Sequence, residues 1–176
     1  MEQHDFTPSR PTIRDLTQED LPLLQELLAQ RWGSASVTSR GRLIDVTQCP
    51  GLIAEVDGAW VGYCAFEPLG RDCQLVAIES LQLGAGTGTA LLAWLVRWCL
   101  EQDMARLWLV TTNDNTDALR WYQRRGFVLV GAHPGAVTEA RAELKPSIPL
   151  EGEHGIEIRD ELELELPPDR WPAMGA

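Results

Sequence analysis

The chain has no Cys-x-x-Cys pair, no long apolar run and no surplus of basic residues. Each lack excludes something. Four cysteines, Cys49, Cys64, Cys73 and Cys99, are spread too widely for a structural zinc site, so no metal is expected. Free thiols in a reducing cytoplasm are the simpler reading, and a cytoplasmic location is expected. No stretch reaches the ~18 apolar residues of a membrane span, and no apolar run opens the chain. Neither a membrane anchor nor a signal peptide is therefore expected. Asp and Glu number 26 against 15 Lys and Arg, a net charge of −11. Phosphate backbones bind basic surfaces, so nucleic acid is an unsuitable partner. The acidity is concentrated between 151 and 169, whereas residues 120–125 are basic. A local basic patch suits a small polyanion.

What remains is a chain of ordinary globular composition, 44% apolar and 23% charged. Its 176 residues fit one domain with a sizeable core. Residues 1–10 are expected to be a flexible terminus, 11–167 one domain, and 168–176 a C-terminal tail. Thr17 and Asp20 form a capping-box start for a helix of spaced leucines ending near Gly33. A short helix is expected near 40–46. Residues 52–56 and 59–66 are apolar runs joined at Asp57-Gly58, a hairpin signal. A turn over 67–72 leads into a third strand, 73–81. A helix to about 102, a strand over 105–111, a helix ending at Gly126 and a strand over 127–131 follow. Residues 132–157 form a long insertion between the last two strands, with a short helix over 136–144. Glu161-Leu162-Glu163-Leu164-Glu165-Leu166 alternates, so it is expected to be half-buried with its acids facing water. The order predicts an α/β sandwich around a mixed sheet.

Chemistry concentrates at Gly84-Ala85-Gly86-Thr87-Gly88, between a strand and a helix. Glycines let backbone N–H groups converge, and a helix N-terminus carries about half a positive charge, which favours an anion. Thr89 breaks both the Walker pattern and the dinucleotide fingerprint, and three meander strands precede the turn.

LQLGAGTGTALLAWL (81–95) followed by LWLVTTNDNTDALRWYQRRGFVLVG (107–131) resembles the GCN5-related N-acetyltransferase (GNAT) family. Gly86 and Gly88 fill the small positions of its glycine turn. Asn115, Ala118, Tyr122, Gly126 and Phe127 fill its second motif. The resemblance covers residues 10–131 in element order. Leu83 stands where the family has Arg or Gln. The resemblance implies a mixed, largely antiparallel central sheet flanked by helices, with two diverging central strands holding acetyl-CoA. It implies that the backbone of Leu81 and Leu83 pairs with the pantetheine. Gly84, Ala85, Gly86, Thr87, Gly88 and Thr89 would wrap the diphosphate, and Asn115 would contact the cofactor. Tyr122 would be the acid facing the CoA sulfur. Arg120, Arg124 and Arg125 would face the 3′-phosphate or solvent.

Acyl transfer to an amine needs a neutral nucleophile, a donor for the thioester oxygen and a proton for the thiolate. Glu79, a carboxylate in an apolar strand, is the candidate base, directly or through water. His133 and His154 are alternatives. Arg141, Lys145 and Arg159 could grip an acceptor carboxylate, and Glu139 and Asp160 an amine. Arg31 and Trp32 are further acceptor candidates. Trp94, Trp98, Trp108 and Trp121 read as packing residues. The expected function is acetyl transfer from acetyl-CoA to a small-molecule amine by a monomer or homodimer. A protein N-terminus or lysine as acceptor, or a non-catalytic acyl-CoA-binding module, are the alternatives.

Overall fold

Leucine spacing, glycine turns and alternating strands resolve into two layers of helices around one split sheet. The computed structural model describes residues 10–82 and 85–174. Strand β1 (Thr12–Asp15) leads to a capping box in which the Asp20 carboxylate accepts from the Thr17 N–H at 2.8 Å. Arg14 forks onto the same carboxylate at 2.7 and 2.8 Å, and holds the Asp20 carboxyl well below its usual range. Helix α1 (Leu21–Trp32) follows and stops at Gly33, whose φ of 74° only glycine adopts readily.

Residues 40–46 depart from expectation. Residues 40–45 belong to a hairpin, β2 (Ser36–Ser39) and β3 (Arg42–Asp45), turning at Arg40-Gly41 with positive φ at both residues, and Val46 opens a short 3-10 turn. That is the backbone of a two-residue hairpin turn, built here on Arg rather than Asn or Asp. A distant partner supports it, because the Arg40 N–H donates to Glu161 at 3.0 Å.

The meander β4 (Gly51–Val56), β5 (Ala59–Leu69) and β6 (Asp72–Ser80) turns at Asp57-Gly58, as the sequence predicts. Its second turn is tighter than expected, since β5 continues to Leu69. Helix α2 (Thr87–Glu101), β7 (Arg106–Thr112), α3 (Thr116–Gln123), β8 (Val128–His133), α4 (Ala136–Glu143) and β9 (Glu161–Leu166) complete the order. The seven-stranded sheet runs β1-β4-β5-β6-β7-β9-β8 and is antiparallel except between β6 and β7. The chain is thus a mixed α/β fold with a mostly antiparallel sheet flanked by helices. Among the described residues, no helix is long and apolar enough to cross a membrane.

The larger core lies under α2, where Leu91, Leu92, Leu95, Val96 and Cys99 pack on β5, β6, β7 and β9. The smaller lies under α1, around Leu24, Leu28, Ile53 and Tyr63. Burial pushes the Cys64 thiol up, as expected of an inert core thiol. The segment read as a C-terminal tail contributes to the larger core. Trp171, in the short helix α5 (Trp171–Met174), is buried and donates its indole N–H to the Leu166 carbonyl at 2.8 Å.

Strand β9 corrects the alternation reading. Glu161 and Glu163 are buried, at 2% and 5% exposure. Burial raises the Glu163 carboxyl, but Arg106, His133 and Arg40 outweigh it and hold the group below its usual range. Strict alternation cannot distinguish acids facing water from acids facing a cluster of cations brought by other strands.

Candidate active site

The feature that opens a site is the parting of β6 and β7. Their parallel pairing covers only Asp72–Leu75 against Arg106–Leu109. Beyond it the strands diverge, and three cavities meet in the gap. Asn115 lines all three.

The first cavity, about 640 Å³, lies between the end of β6, the first turn of α2 and the inner face of α3. The first intrahelical bond of α2 runs from the Ala90 N–H to the Gly86 carbonyl at 3.0 Å. The N–H groups of Thr87, Gly88 and Thr89 therefore have no intrahelical partner, and among the described residues no side chain caps them. The Thr87 hydroxyl is buried with no partner among the described residues. Gly88 has a steric reason, since a Cβ there would lie 3.0 Å from the Trp121 ring. Trp121 in turn carries the Arg125 guanidinium, 3.8 Å above its ring. Arg125 also donates to the Thr89 hydroxyl at 2.7 Å and to the Trp121 carbonyl at 3.1 Å. Unpaired amides, a helix N-terminus and an anchored cation thus converge on one rim. That arrangement binds an anion.

The sequence candidates for this rim are largely brought together. Gly86, Thr87, Gly88, Thr89, Asn115 and Tyr122 line the cavity, and Ala85 precedes them in the turn. Leu83 and Gly84 lie outside the described residues. Leu81 differs from expectation. Its N–H is taken by the Val61 carbonyl at 2.8 Å, so it faces β5 rather than the gap. Strand alternation turns the backbone of Ile78 and Ser80 to the open edge instead. Of the three arginines, Arg125 reaches the rim, while Arg120 pairs with Asp117 at 3.2 Å on the surface. Trp94, Trp98 and Trp121 pack against the core and Trp108 is buried.

Tyr122 stands between the first and second cavities. Its ring meets Trp121 and Phe127 edge-on, at 5.1 and 5.4 Å between centroids. Burial pushes its phenol well above the ordinary value, with Cys64 adding to the shift. The hydroxyl therefore stays protonated. It has no hydrogen-bond partner among the described residues, which leaves it available to a ligand.

Glu79 stands between the first and third cavities. One carboxylate oxygen lies 3.0 Å from the Arg31 Nε, and the other accepts from the Tyr63 hydroxyl at 3.0 Å. The Tyr63 phenol is raised by burial and by the neighbouring Glu79 charge, so it remains a donor. Sequence reasoning did not find Tyr63. An aromatic residue in an apolar strand signals packing, and its partner is 16 positions away on the next strand.

The third cavity, about 820 Å³, lies between the end of α1 and the insertion. Arg31, Trp32, Glu79, Asp114, Lys145 and Glu153 contribute to its wall. Here the acceptor candidates divide. Arg31, Trp32 and Lys145 line it. Lys145, the only lysine in the chain, donates to the Ser36 and Trp32 carbonyls at 2.6 and 3.2 Å. Burial lowers its ammonium pKa. The others are committed elsewhere. Arg141 clips the insertion by donating to the carbonyls of Ile148, Pro149 and Ile158 at 2.9, 2.7 and 2.6 Å. His133 pairs with Glu163 at 3.1 Å, and Arg159 with Asp160 at 2.8 Å. Asp160 also accepts from the Gly135 N–H at 2.7 Å, and His154 lies 3.8 Å from Asp117. Glu139 is exposed on α4. Asp114, which sequence reasoning passed over, is buried and accepts from the Glu153 N–H at 3.1 Å, tying the insertion to the end of β7.

Known proteins resemble this chain in sequence and in fold. The sequence profile of the acetyltransferase (GNAT) family matches residues 11–127. The uncharacterized protein YdhI of Bacillus subtilis is 33% identical over 141 residues, 80% of this chain and 88% of YdhI. Among solved structures, an IAA acetyltransferase from Bacillus cereus superposes with a TM-score of 0.68 at 21% identity. The match covers 89% of this chain and 98% of that one. A GNAT family acetyltransferase from Elizabethkingia anophelis with acetyl-CoA bound gives 0.65 at 19% identity, covering 91% and 99%.

Proposed function

The chain belongs to the acetyltransferase (GNAT) family, and from that premise we propose that it moves an acetyl group from acetyl-CoA to a small-molecule primary amine. The observation carrying this reading is the set of N–H groups on Thr87, Gly88 and Thr89, without a partner among the described residues, beside a cavity lined by Tyr122. A diphosphate satisfies those donors, and Arg125 is placed to share its charge. The pantetheine arm then follows the open backbone edge of β6, as a short extra strand would.

The thioester carbon falls near Asn115 and Tyr122. The amine enters through the third cavity, past Arg31 and Trp32. It arrives as an ammonium ion, because alkylamines have a pKa near ~10. Glu79 is the group that can receive its proton, and Arg31 must first leave the carboxylate. The Arg31 side chain is 53% exposed and free to swing, whereas Tyr63 is held in the core. The neutral nitrogen then attacks the carbonyl carbon. As the tetrahedral intermediate collapses, the C–S bond breaks, the Tyr122 hydroxyl protonates the thiolate, and the surplus proton on the new amide nitrogen restores the phenol. Its half-buried position, without a hydrogen-bond partner among the described residues, suits that donation.

A small acceptor is favoured because the insertion narrows the approach. Arg141 and Lys145 fasten it to itself and to the α1–β2 connection. Thiol release from acetyl-CoA with a panel of small amines and N-terminal peptides tests the reading. Turnover with a small amine is expected. Turnover confined to peptides would replace the acceptor class, and no turnover with either would leave a binding module.

A further inference from the structure

The second cavity has no role in the scheme above, and its chemistry differs from that of its neighbours. It encloses about 290 Å³ in the gap between β6 and β7, with the β2–β3 hairpin and α4 beyond. Val37, Val76, Ile78, Val110, Val137 and Ile158 form its apolar wall, and Thr38, Ser39, Gln74, Thr111 and Thr112 its polar one. Among its described lining residues there is no carboxylate. Its one cation, Lys145, is bound to two carbonyls. At the closed end, where strand pairing resumes, Gln74 donates to the Ser39 hydroxyl at 2.7 Å.

The three cavities offer three arms around one reacting carbon. The first holds the anion site, so CoA lies there. The third carries Glu79, so the amine enters there. The second shares Ile78, Asn115, Ala118 and Tyr122 with the first and Trp32, Lys145, Ile148 and Ile158 with the third, and does not touch Glu79. A carbonyl carbon beside Tyr122, with sulfur toward the first cavity, the amine toward the third and the oxygen toward the open backbone edge of β6, leaves the second for its acyl chain. We propose that the second cavity is an acyl-chain subsite and that the protein takes straight-chain acyl-CoA donors longer than acetyl. The acetyl methyl is about the size of one water molecule, ~30 Å³ of liquid volume, and leaves most of the cavity unfilled. A butyryl chain places two more methylenes against the valine walls. The bonds made and broken are those of acetyl transfer, because the chain does not react.

This inference rests on the family reading, and a binding experiment separates their failures. Calorimetric titration of the full chain with CoA, acetyl-CoA and butyryl-CoA needs no acceptor. Each buried methylene gives about fourfold in affinity, the factor that ~0.8 kcal/mol corresponds to. Butyryl-CoA is therefore expected to bind at least tenfold tighter than acetyl-CoA. Val110→Phe fills the cavity and should bring the two affinities together while sparing acetyl-CoA. Val37→Phe, from the hairpin side, should do the same and stands in if the first variant fails to fold. A butyryl advantage below tenfold, or one that both variants leave intact, overturns the subsite and assigns the cavity to the acceptor. If none of the three CoA species binds, the family reading and this inference fall together.

Discussion

The two walls of the cleft are made in different ways. The wall proposed to hold the cofactor consists of the first turn of α2 and the face of α3, regular elements whose own backbone carries the donors. The wall proposed to face the acceptor is a strap between β8 and β9, and side chains bonded to backbone carbonyls hold it in place. Arg141 makes three such bonds and Lys145 two. A helix N-terminus presents the same donors in any sequence that forms it, so the cofactor wall needs little beyond small residues and a cap. The strap has the shape that its particular side chains enforce. The difference teaches that one fold can keep its donor chemistry while its acceptor changes.

Substitutions should separate along that division. The largest effects belong to the groups between the walls. Tyr122→Phe and Glu79→Gln should each lower kcat by about 10²–10⁴-fold, the usual worth of a general acid or base. Acyl-CoA affinity by calorimetry should stay within a few fold. A kcat loss matched by an equal loss of acyl-CoA affinity would place that side chain in binding instead.

Next is the strap. A Cβ on Gly152 would lie 1.9 Å from the Asp114 carboxylate. Gly152→Val should destabilise the fold by ~1–3 kcal/mol, as overpacking does. It should raise KM for the amine and leave acyl-CoA affinity nearly unchanged. Thermal melting and steady-state kinetics read the two effects separately. Equal damage to both substrates would erase the distinction between the walls.

Smaller again is the cofactor rim. Arg125→Ala removes a guanidinium that stacks on Trp121 and caps Thr89. About 1.5–3 kcal/mol is typical of a hydrogen bond to a charged group, and half-exposure places this one at the low end. Acyl-CoA should bind roughly tenfold more weakly, with KM for the amine unmoved. The smallest effect is a flat line. Because burial raises the Tyr122 phenol, its proton is retained as pH rises through the ordinary tyrosine value of ~10. Between pH 7 and 10, kcat should show no alkaline fall that Tyr122→Phe abolishes.

Legibility in the sequence followed the same division. The α2 turn was readable because local backbone geometry favours small residues there, whereas Asn115 and Tyr122 stood out through the family resemblance. The Asn115 side chain caps α3 by accepting from the Ala118 N–H at 3.1 Å. Residues 40–46 suggest a short helix in sequence, because Glu161, which supports the hairpin turn there, lies some 121 residues away. The acids of β9 suggest a face toward water, because Arg40 and Arg106 come from the β2–β3 turn and from β7. In the strap, Arg141 had the residue type of a ligand grip, yet the structure uses it to hold the strap together. Chemistry set by neighbours in sequence can be read along the chain. Chemistry set by neighbours in space had to wait for the fold.

The claim on which the rest depends is that main-chain N–H groups at the start of α2 hold a diphosphate. Competition calorimetry with acetyl-CoA, 3′-dephospho-CoA and acetylpantetheine measures it most directly. The account predicts that both diphosphate-bearing compounds bind in the same cavity and that acetylpantetheine, which lacks the diphosphate, binds at least a hundredfold more weakly. Acetylpantetheine binding as tightly as acetyl-CoA would contradict it.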